Sequence, residues 1–221
     1  MIPPRALARL GHPPLRFHPL TILPTVICLC LIANTALARS GGSLDHRVKK
    51  DTGGIYAAQN AVPITLGLLV GACALWGGTE DRFSRTCWEA GEGSISSYVL
   101  AKGIQVVTKR ESPSQTDDPG RWSAHINSGS FPSGHVAFTT ALVTPFVMEN
   151  FEAHPWLSSA LLLLPAYEMV ARVKSRDHWQ TDVLGGALLG FAVGAYEFHR
   201  DSPFVFTLLP GGAMVGFHHS F

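Results

Sequence analysis

From Ile55 onward the apolar residues fall into long runs, and these runs lack the period-two alternation of half-buried strands. Four of them lie at roughly 55–78, 134–150, 156–173 and 179–199, and a fifth, more amphipathic run covers about 94–109. Runs of that length are too long for ordinary strands and predict helices. Gly77 and Gly78 end the first, Pro155 suits the first turn of another, and Ser133 is a good N-cap for a helix that begins at Gly134 and His135. After residue 200 the pattern changes: PFVFTLLPGGAMVGFHHSF carries short apolar stretches around Pro210, Gly211 and Gly212, which predict a β-hairpin, with His218 and His219 as surface residues. The expected fold class is all-α, a compact bundle of about five to six helices with a short C-terminal β-hairpin.

A membrane span needs about 20 consecutive apolar residues. The uncharged windows 136–148, 155–167 and 183–196 hold 13, 13 and 14 residues, which is too short. Only 52–79 is long enough, and it contains Gln59, Asn60 and several glycines. Pro63, Pro145 and Pro165 lie within helical runs, where membrane bundles tolerate proline best. The balance favours a bundle outside the cytoplasm, resting on a membrane surface, over a polytopic protein.

The first 38 residues hold Arg5, Arg9 and Arg16 and no acid, then an uncharged run from Leu20 to Ala33, and Ala36 and Ala38 supply small residues for cleavage. This is the pattern of an export signal. The expected organisation is signal peptide 1–38, a polar linker 39–54, a catalytic helical bundle 55–200 and a hairpin extension 201–221, with a periplasmic or cell-envelope location. The alternative is an uncleaved N-terminal segment that anchors the chain in the inner membrane. Loss of the leader removes three of 17 basic residues and none of the 16 acidic ones, leaving 14 against 16. No basic surplus points to nucleic acid. Cys73 and Cys87 remain, either as one disulfide or as buried thiols.

Two stretches carry chemistry. SGSFPSGHVAF, 128–138, joins a proline, an N-cap serine and a glycine at a helix start, where backbone N–H groups and the dipole favour an anion. Ser133 and Gly134 would cradle a phosphate with His135 at the lip. ARVKSRDHWQTDVLGG, 171–186, places His178 four residues before Asp182, so that the carboxylate is expected to accept a hydrogen bond from the imidazole and leave the other ring nitrogen free to attack. Arg172, six residues before His178, would clamp oxyanion oxygens, while Lys174, Arg176 and Asp177 read as solvated turn residues. A serine hydrolase centred on Ser133 would need glycines two residues to either side, where Phe131 and His135 stand.

Together the two stretches resemble the type 2 phosphatidic acid phosphatase family, which includes vanadium haloperoxidases and bacterial acid phosphatases. Pro132 to His135 match its Pro-Ser-Gly-His motif, and Arg172, His178 and Asp182 match the spacing of its third motif, with Ala171 in place of serine. The resemblance covers about 94–199. The first motif, Lys, six residues, Arg, Pro, is altered: alignment on Pro113 puts Ser112 and Gln105 at the basic positions, with Lys102 and Arg110 nearby as substitutes for phosphate binding. The resemblance implies a metal-independent phosphatase that hydrolyses phosphomonoesters or lipid (di)phosphates. His178 would be the nucleophile that forms a phosphohistidine, His135 the acid and base, and Asp182 the orienter. No cofactor is implied. The alternatives are a vanadate-dependent haloperoxidase, or a catalytically inactive binding or structural protein of the envelope.

Overall fold

The computed structural model describes residues 44–77, 81–123 and 129–200, and the backbone of 204–209 and 212–217. The leader expected at 1–38, His218 and His219 lie outside the described residues. A 3-10 turn, Gly54–Gln59, leads into six helices: α1 (Ala61–Gly77), α2 (Arg82–Thr108), α3 (Gly134–Asn150), α4 (Pro155–Leu161), α5 (Leu163–Lys174) and α6 (Gln180–His199). Strands β1 (Phe204–Leu209) and β2 (Gly212–Phe217) pair antiparallel, with Phe204 opposite Phe217. The all-α bundle with a terminal hairpin is what the periodicity predicted. No helix among the described residues is long and apolar enough to cross a membrane.

Two boundaries differ from the sequence pattern. α2 starts at Arg82, well before residue 94, because Asp81 caps it: the Ser84 N–H donates to Asp81 Oδ2 at 3.1 Å. The polar stretch 82–93 hides the helix from a hydrophobicity reading, yet Cys87 and Ala90 are buried against Val70, Ala74, Leu142 and Val143. A Cys73–Cys87 disulfide joins α1 to α2 there, which decides between the two fates open to these cysteines. The run 156–173 is two helices, broken at Leu162. Pro165 has no N–H to donate to the carbonyl of Leu161, so the helical ladder is interrupted at that point.

The centre of the bundle is the contact between α3 and α6. A Cβ built on Gly186, Gly190 or Gly194 would lie 2.5, 2.3 or 2.8 Å from the carbonyl oxygens of Ser133, Ala137 and Ala141. One glycine per helical turn of α6 therefore lets the backbone of α3 lie directly upon it. Pro145 removes the N–H that would otherwise engage the Ala141 carbonyl, the one that Gly194 meets. Phe131, Ala137 and Leu189 bury this seam with Ala101 and Ile104 of α2.

Residues 44–54, the described part of the linker expected at 39–54, form a strap along the turn between α5 and α6. The His46 N–H donates to Gln180 Oε1, Gln180 Nε2 donates to the His46 carbonyl, Arg176 Nε donates to the Val48 carbonyl, and the Asp51 N–H donates to the Lys174 carbonyl.

Candidate active site

Two turns meet at one end of the α3–α6 seam. The first is 129–133, which docks on the end of α2. The Gly129 N–H donates to the Gln105 carbonyl, the Ser130 N–H to the Arg110 carbonyl, Gln105 Nε2 to the Pro132 carbonyl at 2.7 Å and Thr108 Oγ1 to the Phe131 carbonyl at 2.9 Å. Gly129 is required because a Cβ there would lie 2.6 Å from the Arg110 nitrogen. The second turn, 175–179, closes α5, whose last carbonyls accept from Ser175, Arg176, Asp177 and His178 N–H groups.

Ser133 is the N-cap residue of α3, as predicted, but its hydroxyl caps nothing. Its N–H donates to the Asp182 carbonyl at 2.9 Å, which removes it from the expected anion cradle, and its buried Oγ has no hydrogen-bond partner among the described residues. Gly134 and His135 follow in the first turn, upstream of the first intrahelical bond, from the Ala137 N–H to the Ser133 carbonyl, so their N–H groups point out of the helix end.

His178 precedes α6, and the expected bond to Asp182 is replaced by another. Its Nδ1 lies 2.7 Å from the Ser130 carbonyl and 3.9 Å from Asp182 Oδ2. A carbonyl can only accept, so Nδ1 carries the proton and Nε2 bears the lone pair. The orienter is thus a backbone carbonyl, which has no side-chain signature in sequence. Burial, more than the nearby Arg172 charge, lowers the His178 pKa to about 3, and His135 also lowers it, which places the two rings within electrostatic reach. The ring is neutral at neutral pH.

His135 sits at the lip, half-buried, with its ring edge-on to Tyr98 at 6.2 Å. Burial first, then Arg172 and Lys102, lower its pKa to about 4. Lys102 lies over the Tyr98 ring, 5.4 Å from its centre, and donates to Gln105 Oε1 at 3.0 Å. A Cβ on Gly134 would touch both Tyr98 and Lys102, so α2 contributes a cation to the mouth of the α3 helix end. Tyr98 was missed in sequence, although it stands one turn before Lys102.

Arg172 is 4% exposed and held by four acceptors: Glu168 Oε1 at 2.7 Å, Asn60 Oδ1 at 2.8 Å, the Gln59 carbonyl at 3.1 Å and Asp177 Oδ2 at 3.4 Å. Nη1, with only the long contact to Asp177, is its least committed edge. Glu168, four residues earlier on α5, was another residue missed; burial raises its pKa against the pull of Arg172.

Arg110 contradicts the sequence expectation of a phosphate ligand. All five of its N–H donors are used inside the protein: Nε and Nη2 on the Pro119 carbonyl, Nη1 on Thr181 Oγ1 at 2.7 Å and Asp182 Oδ1 at 2.6 Å, and Nη2 on Asp45 Oδ2 at 2.7 Å. Trp122 and Trp179 flank the guanidinium. Asp182 in turn accepts the Trp179 N–H at 2.8 Å. Burial pushes its pKa up to about 6 against the opposing charge of Arg110. Among the described residues no group of three His, Cys, Asp or Glu side chains could hold a metal ion.

A stretch of 67 residues is 37% identical to the lipid A 1-phosphatase of Porphyromonas gingivalis, and covers 30% of this chain and 15% of that protein. Among solved structures, the first transmembrane PAP2 type phosphatidylglycerolphosphate phosphatase from Bacillus subtilis aligns with a TM-score of 0.49 at 17% identity, over 81% of this chain and 93% of that one. The PAP2 superfamily model matches residues 88–203, just over half of the chain, from within α2 through the end of α6 and including both histidine turns, and the protein therefore belongs to the PAP2 superfamily.

Proposed function

We propose that this protein is a phosphatase of the cell envelope that removes phosphate from a lipid-like phosphate ester by way of a phosphohistidine. The observation that carries the reading is the state of His178: a buried, neutral imidazole whose Nδ1–H is tethered to the Ser130 carbonyl, leaving Nε2 as the nucleophile.

In the first half-reaction Nε2 forms a bond to phosphorus as the ester P–O bond breaks, and a proton from His135 goes to the leaving oxygen. In the second, His135 accepts a proton from water, whose oxygen displaces Nε2 and yields inorganic phosphate. Arg172, Lys102 and the N–H groups of Gly134 and His135 neutralise the equatorial oxygens, the main task in phosphoryl transfer. A positioned acid and base of this kind contribute about 10²- to 10⁴-fold in rate. Asp182 acts behind the nucleophile by holding the α6 helix start, and the reading assigns no step to a metal.

Two features support an amphiphilic substrate. One relative, 37% identical over 67 residues, is a lipid A 1-phosphatase, and the bundle exposes large apolar side chains on its outer faces: Leu68 and Trp76 on α1, Val107 on α2, Trp156 on α4, Leu163 on α5 and Phe191 on α6. Trp76 and Trp156 are 86% and 88% exposed, an arrangement that suits contact with lipid.

The test is phosphate release from a panel of lipid mono- and diphosphates and soluble phosphomonoesters, with and without detergent, together with trapping of a radiolabelled phosphoryl group. Wild type should carry the label and His178→Ala should lack both label and turnover while remaining folded. Near-normal turnover in His178→Ala would remove the nucleophile from this scheme.

A further inference from the structure

Asp45 belongs to the strap, upstream of the matched family segment, yet its carboxylate is buried against the start of α6. Oδ1 accepts the Thr181 N–H at 2.8 Å, and Oδ2 accepts Thr181 Oγ1–H at 2.6 Å and Arg110 Nη2 at 2.7 Å. Thr181 is three residues beyond His178 and adjoins Asp182. Two buried carboxylates, from chain positions far apart, thus share one guanidinium, and the Thr181 hydroxyl links Asp45 to that guanidinium by donating to Asp45 and accepting from Arg110.

The network reaches both catalytic turns. Asp182 holds the Trp179 N–H, next to His178, and its carbonyl holds the Ser133 N–H, next to Gly134 and His135. Removing Asp45 strips acceptors from Arg110 Nη2 and from both Thr181 donors at a site closed to water, a costly state that the first turn of α6 can relieve only by moving. Attack on phosphorus needs the nucleophile in line with the leaving oxygen, and small displacements are expensive.

We propose that Asp45 is a positioning residue for the reaction: the strap buttresses α6 through Thr181 and Arg110, and so keeps His178 in register with the Gly134–His135 helix end. The inference rests on the phosphatase reading of the site.

The test uses the full chain and four proteins: wild type, Asp45→Ala, Asp45→Asn and Arg47→Ala. Arg47 pairs with Asp117 on the exposed side of the same strap and serves as the control. Turnover is measured on dioctanoyl phosphatidic acid in micelles and normalised to the folded fraction. Carbethoxylation of individual histidines is followed by mass spectrometry, which needs no turnover. Asp45→Ala should lower kcat about 10- to 100-fold with little change in KM. It should also raise the modification rate of His178 while leaving exposed His154 unchanged. Asp45→Asn keeps an acceptor for the Thr181 N–H and should fall between, and it decides the matter if the alanine variant does not fold. Arg47→Ala should match wild type in both readouts.

Unchanged kcat per folded molecule in Asp45→Ala and Asp45→Asn, with unchanged His178 modification, would overturn the proposal. If wild type releases no phosphate from any ester, the phosphatase reading has failed, and the carbethoxylation rates still decide on Asp45: faster labelling of His178 supports the buttress and an equal rate overturns it.

Discussion

Arg110 Nη1 lies 2.6 Å from Asp182 Oδ1, with side-chain exposures of 2% and 0%. The cation that the chain places near a phosphate-binding motif is spent on the rear of the site. Its removal leaves Asp45 and Asp182 buried without a counter-charge, so Arg110→Ala should lower unfolding free energy by about 3–5 kcal/mol. Arg110→Lys should recover little, because a single ammonium cannot serve four acceptors in a planar fork. Urea denaturation checks both. A raised KM with unchanged stability would instead mean that Arg110 faces substrate.

Both histidines of the candidate site have depressed pKa values, which sets the sign of the acid response. Such a group contributes stability that is fully present above its unfolded pKa near 6.5 and lost as pH falls through its folded value, about 3 for His178 and about 4 for His135. The protein should therefore weaken between pH 6.5 and 3, and His178→Gln should show a smaller difference in denaturation midpoint between pH 7 and pH 4. An equal difference in the variant would assign the acid loss to other groups.

His135 must carry a proton to act as acid, so kcat/KM should decline as pH rises past about 4, once the substrate's own ionisation is subtracted. Lys102 lowers that pKa. Lys102→Ala should move the descending limb to higher pH, and a limb that stays in place would separate Lys102 from His135.

Glycines that look alike in sequence should respond in opposite directions. Gly190→Ala places a Cβ against the Ala137 carbonyl in a packed seam and should cost about 1–3 kcal/mol, with loss of turnover because α3 carries His135. Gly103 lies in the exposed face of α2 with nothing within 4 Å of an added Cβ. Gly103→Ala should raise stability by about 0.5–1 kcal/mol, and thermal melts of the two variants make the comparison.

The Cys73–Cys87 disulfide closes a short loop, a sequence separation of 14, and its removal should lower stability by about 2–4 kcal/mol. Cys87 stands 11 residues before Tyr98, about 16 Å along α2, so kcat of the folded protein should persist after reduction. Melting and turnover with and without dithiothreitol test this, and a parallel fall in kcat would couple the bridge to the site.

Periodicity and local chemistry were enough for the helices and for the start of α3 after Ser133, because caps, prolines and residue spacings act over one or two helical turns, whereas the meeting of the His135 and His178 turns was implied by the family resemblance alone. The resemblance also pointed to Lys102, which lies beside the helix end. Periodicity and local chemistry did not reach the polar first half of α2, where Asp81 and a buried face decide the helix despite low hydrophobicity. They also gave no sign that 44–54, part of the 39–54 stretch expected as a linker, packs on the bundle, since the feature that fastens it, the acceptor role of Asp45, has meaning only opposite Thr181 and Arg110.

What the chain determines alone is therefore the set of elements and which residues can do chemistry. What tertiary structure decided is the partner each of them takes. Asp182 accepts from Arg110, 72 residues away, and His178 turns to the Ser130 carbonyl, 48 residues away, because a buried donor must find an acceptor. No local pattern records those distances, and they set the tautomer on which the proposed chemistry depends.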